Sequence, residues 1–453
     1  MMQVEREIID RNELLEVLSE ALDRVEIDVF GVTEHHAKRV AWLSAQMGMQ
    51  LGMTVEEVSD VATAALLHDS ALIAYKNDYK DGVLRQDADG RSHCIAGEEN
   101  LKLIPGYHML RGYVLYHHEC ADGSGPFKQK AAETPLGAQL IHIADEVDLK
   151  FALGTECENL DEKLQQIQEY VKEQQGVLFG KKVCEVFLNV LSKEQLLLTQ
   201  DATMKHLKES LLPIEISFSN NENSMLDLAE LFARIIDYKS PFTKNHSIGI
   251  AQKAKQMASF LGWPEEICTK LYFAGALHDI GKLFIDPAVL EKPGRLEEEE
   301  YLHIQTHVDW TWKLLGKIHG FEEIKRWASY HHEKLNGKGY PFGKTAEKLG
   351  AEERLLTCLD IYQALTEDRP YKAGMPHKKA MGILKEMVEK GELDAYIVEQ
   401  IDKEFGIGEE TEVQKTALFS CGICGYLHEA DLLSEGFVCP VCGAKATVFS
   451  RML

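Results

Sequence analysis

The sequence predicts a mainly α-helical protein: two tandem helical bundles of one plan, followed by a small four-cysteine metal module. Three observations predict it. A set of seven His and Asp residues occurs twice with almost the same spacing. Apolar residues recur at helical rather than alternating intervals through most of the chain. Two Cys-x-x-Cys pairs stand close together near the C-terminus.

Composition sets the outer bounds. A chain of 453 residues with 45% apolar content has room for two or three domains with real cores. A net charge of -24 argues against a nucleic-acid polymer or an anionic membrane as partner. Residues Met1 to Asp10 are of mixed charge and lack the apolar core of a signal peptide. No apolar run approaches the roughly 18 residues that a membrane span needs. The expectation is a cytoplasmic protein with no membrane contact.

Taken in order, the first element is an N-terminal helix, residues 1–27. Ile8, Ile9, Leu14, Leu15, Leu18, Ala21, Leu22 and Val25 form its apolar face. That stripe reads as core, with a homodimer contact as the other reading. The first repeat spans 28–212. The polar run Ser219 to Asn223 marks the boundary, and the second repeat spans 224–410. Gly and Pro gather in loops, as in Ile104-Pro105-Gly106 and Lys292-Pro293-Gly294. The four-cysteine module takes 411–453. The other six cysteines, Cys94, Cys120, Cys157, Cys184, Cys268 and Cys358, show no pairing rhythm, as expected of reduced thiols.

The repeated signature carries the chemistry. In the second repeat it reads His246, His278-Asp279, His307, His331-His332 and Asp360. In the first it reads His36, His68-Asp69, His93, His117-His118 and Asp145. The first His precedes the His-Asp pair by 32 residues in both, and the third His precedes the His-His pair by 24 in both. His36 rather than its neighbour His35 preserves the offset. Each His-Asp pair follows an apolar helical stretch, Leu271 to Leu277 or Val61 to Leu67, so it should end a buried helix. Imidazole with carboxylate suits borderline divalent metals. Seven donors exceed one tetrahedral ion and fit two ions sharing a carboxylate.

The second repeat resembles the HD-GYP phosphodiesterases. His278-Asp279-Ile280-Gly281-Lys282 matches the family's metal core. His331-His332-Glu333 leads to Gly337-Lys338-Gly339-Tyr340-Pro341, and Asp360 leads to Leu365-Thr366 and Asp368-Arg369-Pro370-Tyr371-Lys372. The resemblance covers about residues 230–405 and implies hydrolysis of a cyclic dinucleotide, above all cyclic di-GMP, to pGpG or GMP. Some members act on 3′,3′-cyclic GMP-AMP. The seven donors would hold a dinuclear centre, iron or manganese, with Asp279 as the bridge. Asp279 and Lys282 would be the catalytic residues. Lys282, Arg369 and Lys372 would grip phosphate, and Gly339, Tyr340 and Pro341 would shape the pocket. Three features depart from the pattern. Asn336 stands where the family has Asp, and Ile248-Gly249 replaces a basic residue. Phe242 replaces the Glu that recruits a third metal in some members.

The first repeat is a degenerate copy. It keeps all seven donor types, so a metal is expected there too. It lacks the Tyr of the Gly-Tyr-Pro segment, has Leu72 at the Lys282 position and carries no counterpart of Arg369. In the tail, Cys421-x-x-Cys424 and Cys439-x-x-Cys442 resemble a rubredoxin-type pair of knuckles, expected to hold zinc or iron. The competing function is a non-catalytic, nucleotide- or redox-responsive receptor that relays its state to a signalling partner.

Overall fold

The computed structural model describes residues 8–80, 83–84, 90–107, 111–155, 159–192, 207–218, 222–239, 246–292, 294–368 and 373–406. In the tail it describes 417–421, 427–430, 437–438, 445 and 449–452. Phe242, Arg369 to Lys372, Pro293, Cys157, Cys424, Cys439 and Cys442 lie outside the described residues.

Helix α1 spans Arg11–Phe30 rather than the expected 1–27. Asp10 starts it by accepting the amide of Asn12 at 2.9 Å, and Gly31 ends it in a left-handed conformation. The two residues ahead of it form β1 (Ile9–Asp10), paired antiparallel with β4 (Glu215–Ile216) at the far end of the first repeat. Leu14, Leu15, Leu18, Ala21, Leu22 and Val25 are buried as the stripe demanded, while Ile8 is exposed. The buried stripe is intramolecular core, since α1 packs on both repeats.

The first repeat continues as α2 (His36–Gln50), α3 (Val55–Leu66), a 3-10 helix (Leu72–Asp78) and a small hairpin of β2 (Tyr79–Lys80) and β3 (Val83–Leu84). Then come α4 (Ser92–Leu101), α5 (Leu136–Phe151), α6 (Leu160–Glu173) and α7 (Lys181–Val190). The second runs α8 (Glu222–Tyr238), α9 (His246–Phe260), α10 (Glu265–Leu277), a 3-10 helix (Ile280–Phe284) and α11 (Pro287–Leu290). It continues as α12 (Glu298–Leu315), α13 (Glu322–Ser329), a 3-10 turn (Ala346–Lys348), α14 (Ala351–Thr366), α15 (His377–Glu389) and α16 (Ala395–Phe405). The α2–α3–α5 core of the first repeat has its counterpart in α9–α10–α14.

Several contacts join the repeats through α1. It packs on the 3-10 helix Ile280–Phe284. The buried ammonium of Lys239 donates to the Leu283 carbonyl at 2.7 Å and lies 3.6 Å from Asp28 on α1. Glu13 accepts the amide of His319 at 2.7 Å, and Glu20 pairs with Lys317. Phe218, just ahead of the expected boundary, packs on Phe273 and Phe321 of the second repeat.

The tail is a three-stranded antiparallel sheet of β5 (Ala417–Cys421), β6 (Leu427–Ala430) and β7 (Phe449–Met452), with β5 central. Backbone pairing of Ser420 with Leu427 brackets the first Cys-x-x-Cys segment, and pairing of Val438 with Lys445 brackets the second. Among the described residues no helix is long and apolar enough to cross a membrane.

Candidate metal centres

Helix ends place the donors of the second repeat. His246 opens α9, His278 closes α10 and Asp279 leads the following 3-10 helix. His307 lies inside α12, His331-His332 follow α13, and Asp360 lies on α14. Thr311 holds the His-Asp turn, donating to the His278 carbonyl and accepting from the Gly281 amide, both at 3.1 Å. Position 281 must be glycine, because a Cβ there would fall 1.8 Å from the His307 carbonyl oxygen.

The ring orientations are set from behind. The Nδ1 of His278, His307 and His331 donates to the carbonyl three residues earlier, at 2.6 to 2.7 Å. Each Nε2 is thereby left as an inward-facing acceptor. His246 Nδ1 instead meets Glu367 at 2.9 Å.

Asp279 stands between two donor groups. Its Oδ2 lies 3.1 Å from His278 Nε2 and 4.0 Å from His246 Nε2. Its Oδ1 lies 3.4 Å from His307 Nε2 and 3.9 Å from His331 Nε2. The donors sort accordingly, with His246, His278 and Asp360 on one side and His307, His331 and His332 on the other. Asp360 spans both, 3.5 Å from His246 and 3.8 Å from His332.

The first repeat reproduces this arrangement. Asp69 Oδ2 lies 3.5 Å from His68 and Oδ1 3.6 Å from His117. Asp145 reaches His36 at 3.1 Å and His68 at 3.6 Å. His35 has a left-handed backbone and faces Asp23, outside the cluster.

Electrostatics separate the two sides of the second cluster. Burial pushes the pKa of His307 down to about 3 and that of His332 to about 4, and holds His331 well below its usual range. These imidazoles are neutral and ready to donate lone pairs. Burial also opposes charge on His246, but hydrogen bonds to Asp360 and Glu367 prevail and raise it to about 9. Burial likewise favours a protonated Asp279, but the charges of His278 and Lys282 prevail and keep it an anion. His278 Nε2 and Asp279 Oδ1, like His68 Nε2, His117 Nε2 and Asp69 Oδ1, are buried without a hydrogen-bond partner. Converging orphaned acceptors beside buried carboxylates are what a divalent cation satisfies, so both donor sets fit metal.

The segment after His331-His332 is a built wall. Glu333 is buried and accepts the amides of Phe342 at 2.8 Å and Lys344 at 2.7 Å. The Tyr340-Pro341 peptide is cis, and the Tyr340 ring lies 4.6 Å from that of His332. Asn336 is a turn residue, accepting the Lys338 amide at 3.0 Å. Asp122 does the same for Ser124 at 2.8 Å. The exchange of Asp for Asn at position 336 thus preserves the turn and removes nothing from the cluster. Lys282 is partly exposed and pairs with Asp279, whereas Leu72 at its place is buried.

Comparison with known proteins accords with this geometry. Models described as "HD domain" match residues 230–397 and 33–150, and one described as "Rubrerythrin, rubredoxin-like domain" matches 419–450. The chain is 29% identical over 389 residues to the 3'3'-cGAMP-specific phosphodiesterase 1 of Vibrio cholerae, covering 85% of this chain and 89% of that one. The chain carries two HD domains and is similar to HD-GYP phosphodiesterases. A cyclic di-GMP phosphodiesterase of Pseudomonas aeruginosa is 28% identical over 45% of this chain and 47% of its own. A solved cyclic GMP-AMP specific phosphodiesterase from V. cholerae shares the fold, with a TM-score of 0.58 and 22% identity over 88% of this chain and 98% of that one. HD domains and a rubredoxin-like domain mark a metal-binding protein.

Sequence reasoning missed several contributors. Glu367 lies seven residues after Asp360 and orients His246. Asp148 lies three after Asp145 and does this for His36 at 2.7 Å while bound twice by Arg39. The second repeat has Gly249 and Gln363 at the positions of Arg39 and Asp148, and there Glu367 supplies the carboxylate instead. Glu26 on α1 is buried beside the first cluster, and burial, reinforced by the charge of Asp69, raises its pKa to about 8. Cys94, next to His93, adjoins three histidines of that cluster. The only sequence signal for these was proximity to a ligand or, for Glu26, a charge four residues after Leu22 of the apolar stripe.

Proposed function

We propose that the second repeat hydrolyses a phosphodiester of a cyclic dinucleotide, with His246, His278, Asp279, His307, His331, His332 and Asp360 holding a dinuclear centre of iron or manganese. The observation that carries the reading is Asp279, with one oxygen toward each of two donor groups. A bound metal pair would supply positive charge to the anionic phosphodiester and lower the barrier to attack by water.

The chain's own residues do the rest. Lys282, partly exposed beside Asp279, would offer its ammonium to a non-bridging phosphate oxygen. Burial raises the Tyr340 phenol, which stays a neutral donor. With Gly339 and Pro341 it forms a wall fixed by Glu333. By the family resemblance, Arg369 and Lys372, which lie outside the described residues, would add phosphate contacts. Water adds to phosphorus as the bond to the 3′-oxygen breaks, giving first the linear dinucleotide. The relatives that span both repeats are named for 3'3'-cGAMP, so that dinucleotide is the first substrate to test and cyclic di-GMP the second. The test is turnover of both by metal-loaded wild type and Lys282→Ala. No turnover of either by a protein with a full metal complement would refute the reading.

For the first repeat, 28–212, a non-catalytic role is favoured, because Leu72 fills the place of Lys282. The tail, 411–453, would hold zinc or iron through Cys421, Cys424, Cys439 and Cys442.

A further inference from the structure

The two clusters differ in one donor. Val308 follows His307 in the second repeat, buried and inert. Cys94 follows His93 in the first, equally buried. Its Sγ lies 3.3 Å from His93 Nε2, and the donor atoms of His93, Cys94, His117 and His118 all lie within 4.8 Å of one another. A tetrahedral ion with nitrogen and sulfur ligands sets its donors about 3.5 Å apart. The group is therefore close to the dimensions such an ion imposes. Two further observations point inward. His117 Nε2 is buried without a hydrogen-bond partner, and its Nδ1 is held at 2.6 Å by the Val114 carbonyl. Cys94 lies in the first turn of α4, where the helix terminus favours negative charge.

We infer that Cys94 is a metal ligand, completing with His93, His117 and His118 a site of three nitrogens and one sulfur in the first repeat. This rests on the reading that the first cluster binds metal. The thiolate makes the site softer than its counterpart and favours zinc or ferrous iron over manganese. It also changes what the site can do. Four protein donors complete a tetrahedral shell before Asp69 is counted, leaving no open position for a phosphate. The counterpart in the second repeat has three histidines and the shared Asp279. The sulfur thus offers a chemical reason, independent of Leu72, for a first repeat that holds metal without hydrolysing substrate.

The test uses full-length protein reconstituted with Co2+, whose bond to a thiolate gives a charge-transfer band in the near ultraviolet. Wild type is compared with Cys94→Val, which installs the residue of the second repeat, and with Cys94→Ser. The tail cysteines contribute equally to all three and cancel in the difference spectra. The expected result is a lost thiolate band in both variants and cobalt binding at this site weakened at least about tenfold. A His117→Ala variant, with cobalt counted per chain, separates the underlying reading from the inference. If His117→Ala loses cobalt while Cys94→Val leaves spectrum and affinity unchanged, Cys94 is no ligand and the metal reading stands. If His117→Ala keeps its full cobalt content, both fail.

Discussion

Replacing Asp279 by Asn keeps the size of the side chain and removes its charge. In the second repeat the two carboxylate oxygens face separate donor groups, at 3.1 Å from His278 and 3.4 Å from His307. A unit charge about 4 Å from another, at an effective dielectric constant of about 20, interacts by about 4 kcal/mol. At about 1.4 kcal/mol per tenfold, losing that much attraction, a lower bound for a divalent ion, weakens its retention by at least about a thousandfold. Turnover at limiting metal should fall at least as far. Asp69→Asn makes the same change in the first repeat, where the distances are 3.5 and 3.6 Å. It should empty that cluster yet leave turnover within about tenfold, because no Lys282 equivalent stands beside it. The assay is cyclic dinucleotide hydrolysis by both variants, with metal counted per chain. An inactive Asp69→Asn beside an active Asp279→Asn would mean that the catalytic half is the other repeat.

Lys282→Ala should lower turnover by about a hundredfold or more with metal content unchanged, as for loss of a charge-stabilising donor; unchanged rates would leave Lys282 a mere partner of Asp279. Glu367→Ala should weaken metal retention about 10- to 100-fold through His246, with Glu367→Gln intermediate, read by competition with a chelator. Deleting 411–453 should preserve hydrolysis, and visible colour lost with the tail would identify iron there. His246 has a pKa of about 9 in the metal-free fold, above its ordinary 6.5. Its contribution to metal-free stability is full below pH 6.5 and lost as the pH rises through 9. Metal uptake displaces that proton, so uptake should strengthen over the same interval, measured as proton release on titration at pH 7 against pH 9.

Much of the fold was legible because a metal centre imposes spacing on the chain. His278-Asp279 and His68-Asp69 end buried helices, as the apolar runs before them required. The orienting acceptors left no such trace. A carboxylate behind an imidazole can come from several positions, and the repeats use Asp148 and Glu367, three and seven residues past the last ligand. Asn336, a departure from the family pattern in sequence, is a turn residue in the fold, since an amide oxygen accepts the Lys338 amide as a carboxylate would. Helix α1 began later than its apolar stripe suggested because Asp10 caps it, and β1 takes the residues before. No local pattern announces that a helix will serve two repeats at once.

That shared helix limits how the molecule can be dissected. A fragment cut to residues 224–410 would keep every residue of the catalytic signature and still lose part of its structure. Lys239 would lose the carboxylate of Asp28, His319 the acceptor Glu13, and the turn bearing Lys282 the surface on which it rests. Poor behaviour of such a fragment would report a stripped wall, not a missing catalytic partner. The halves descend from one plan but no longer stand as separate units. A dissection that respects this would keep residues 9–30 with whichever repeat is studied.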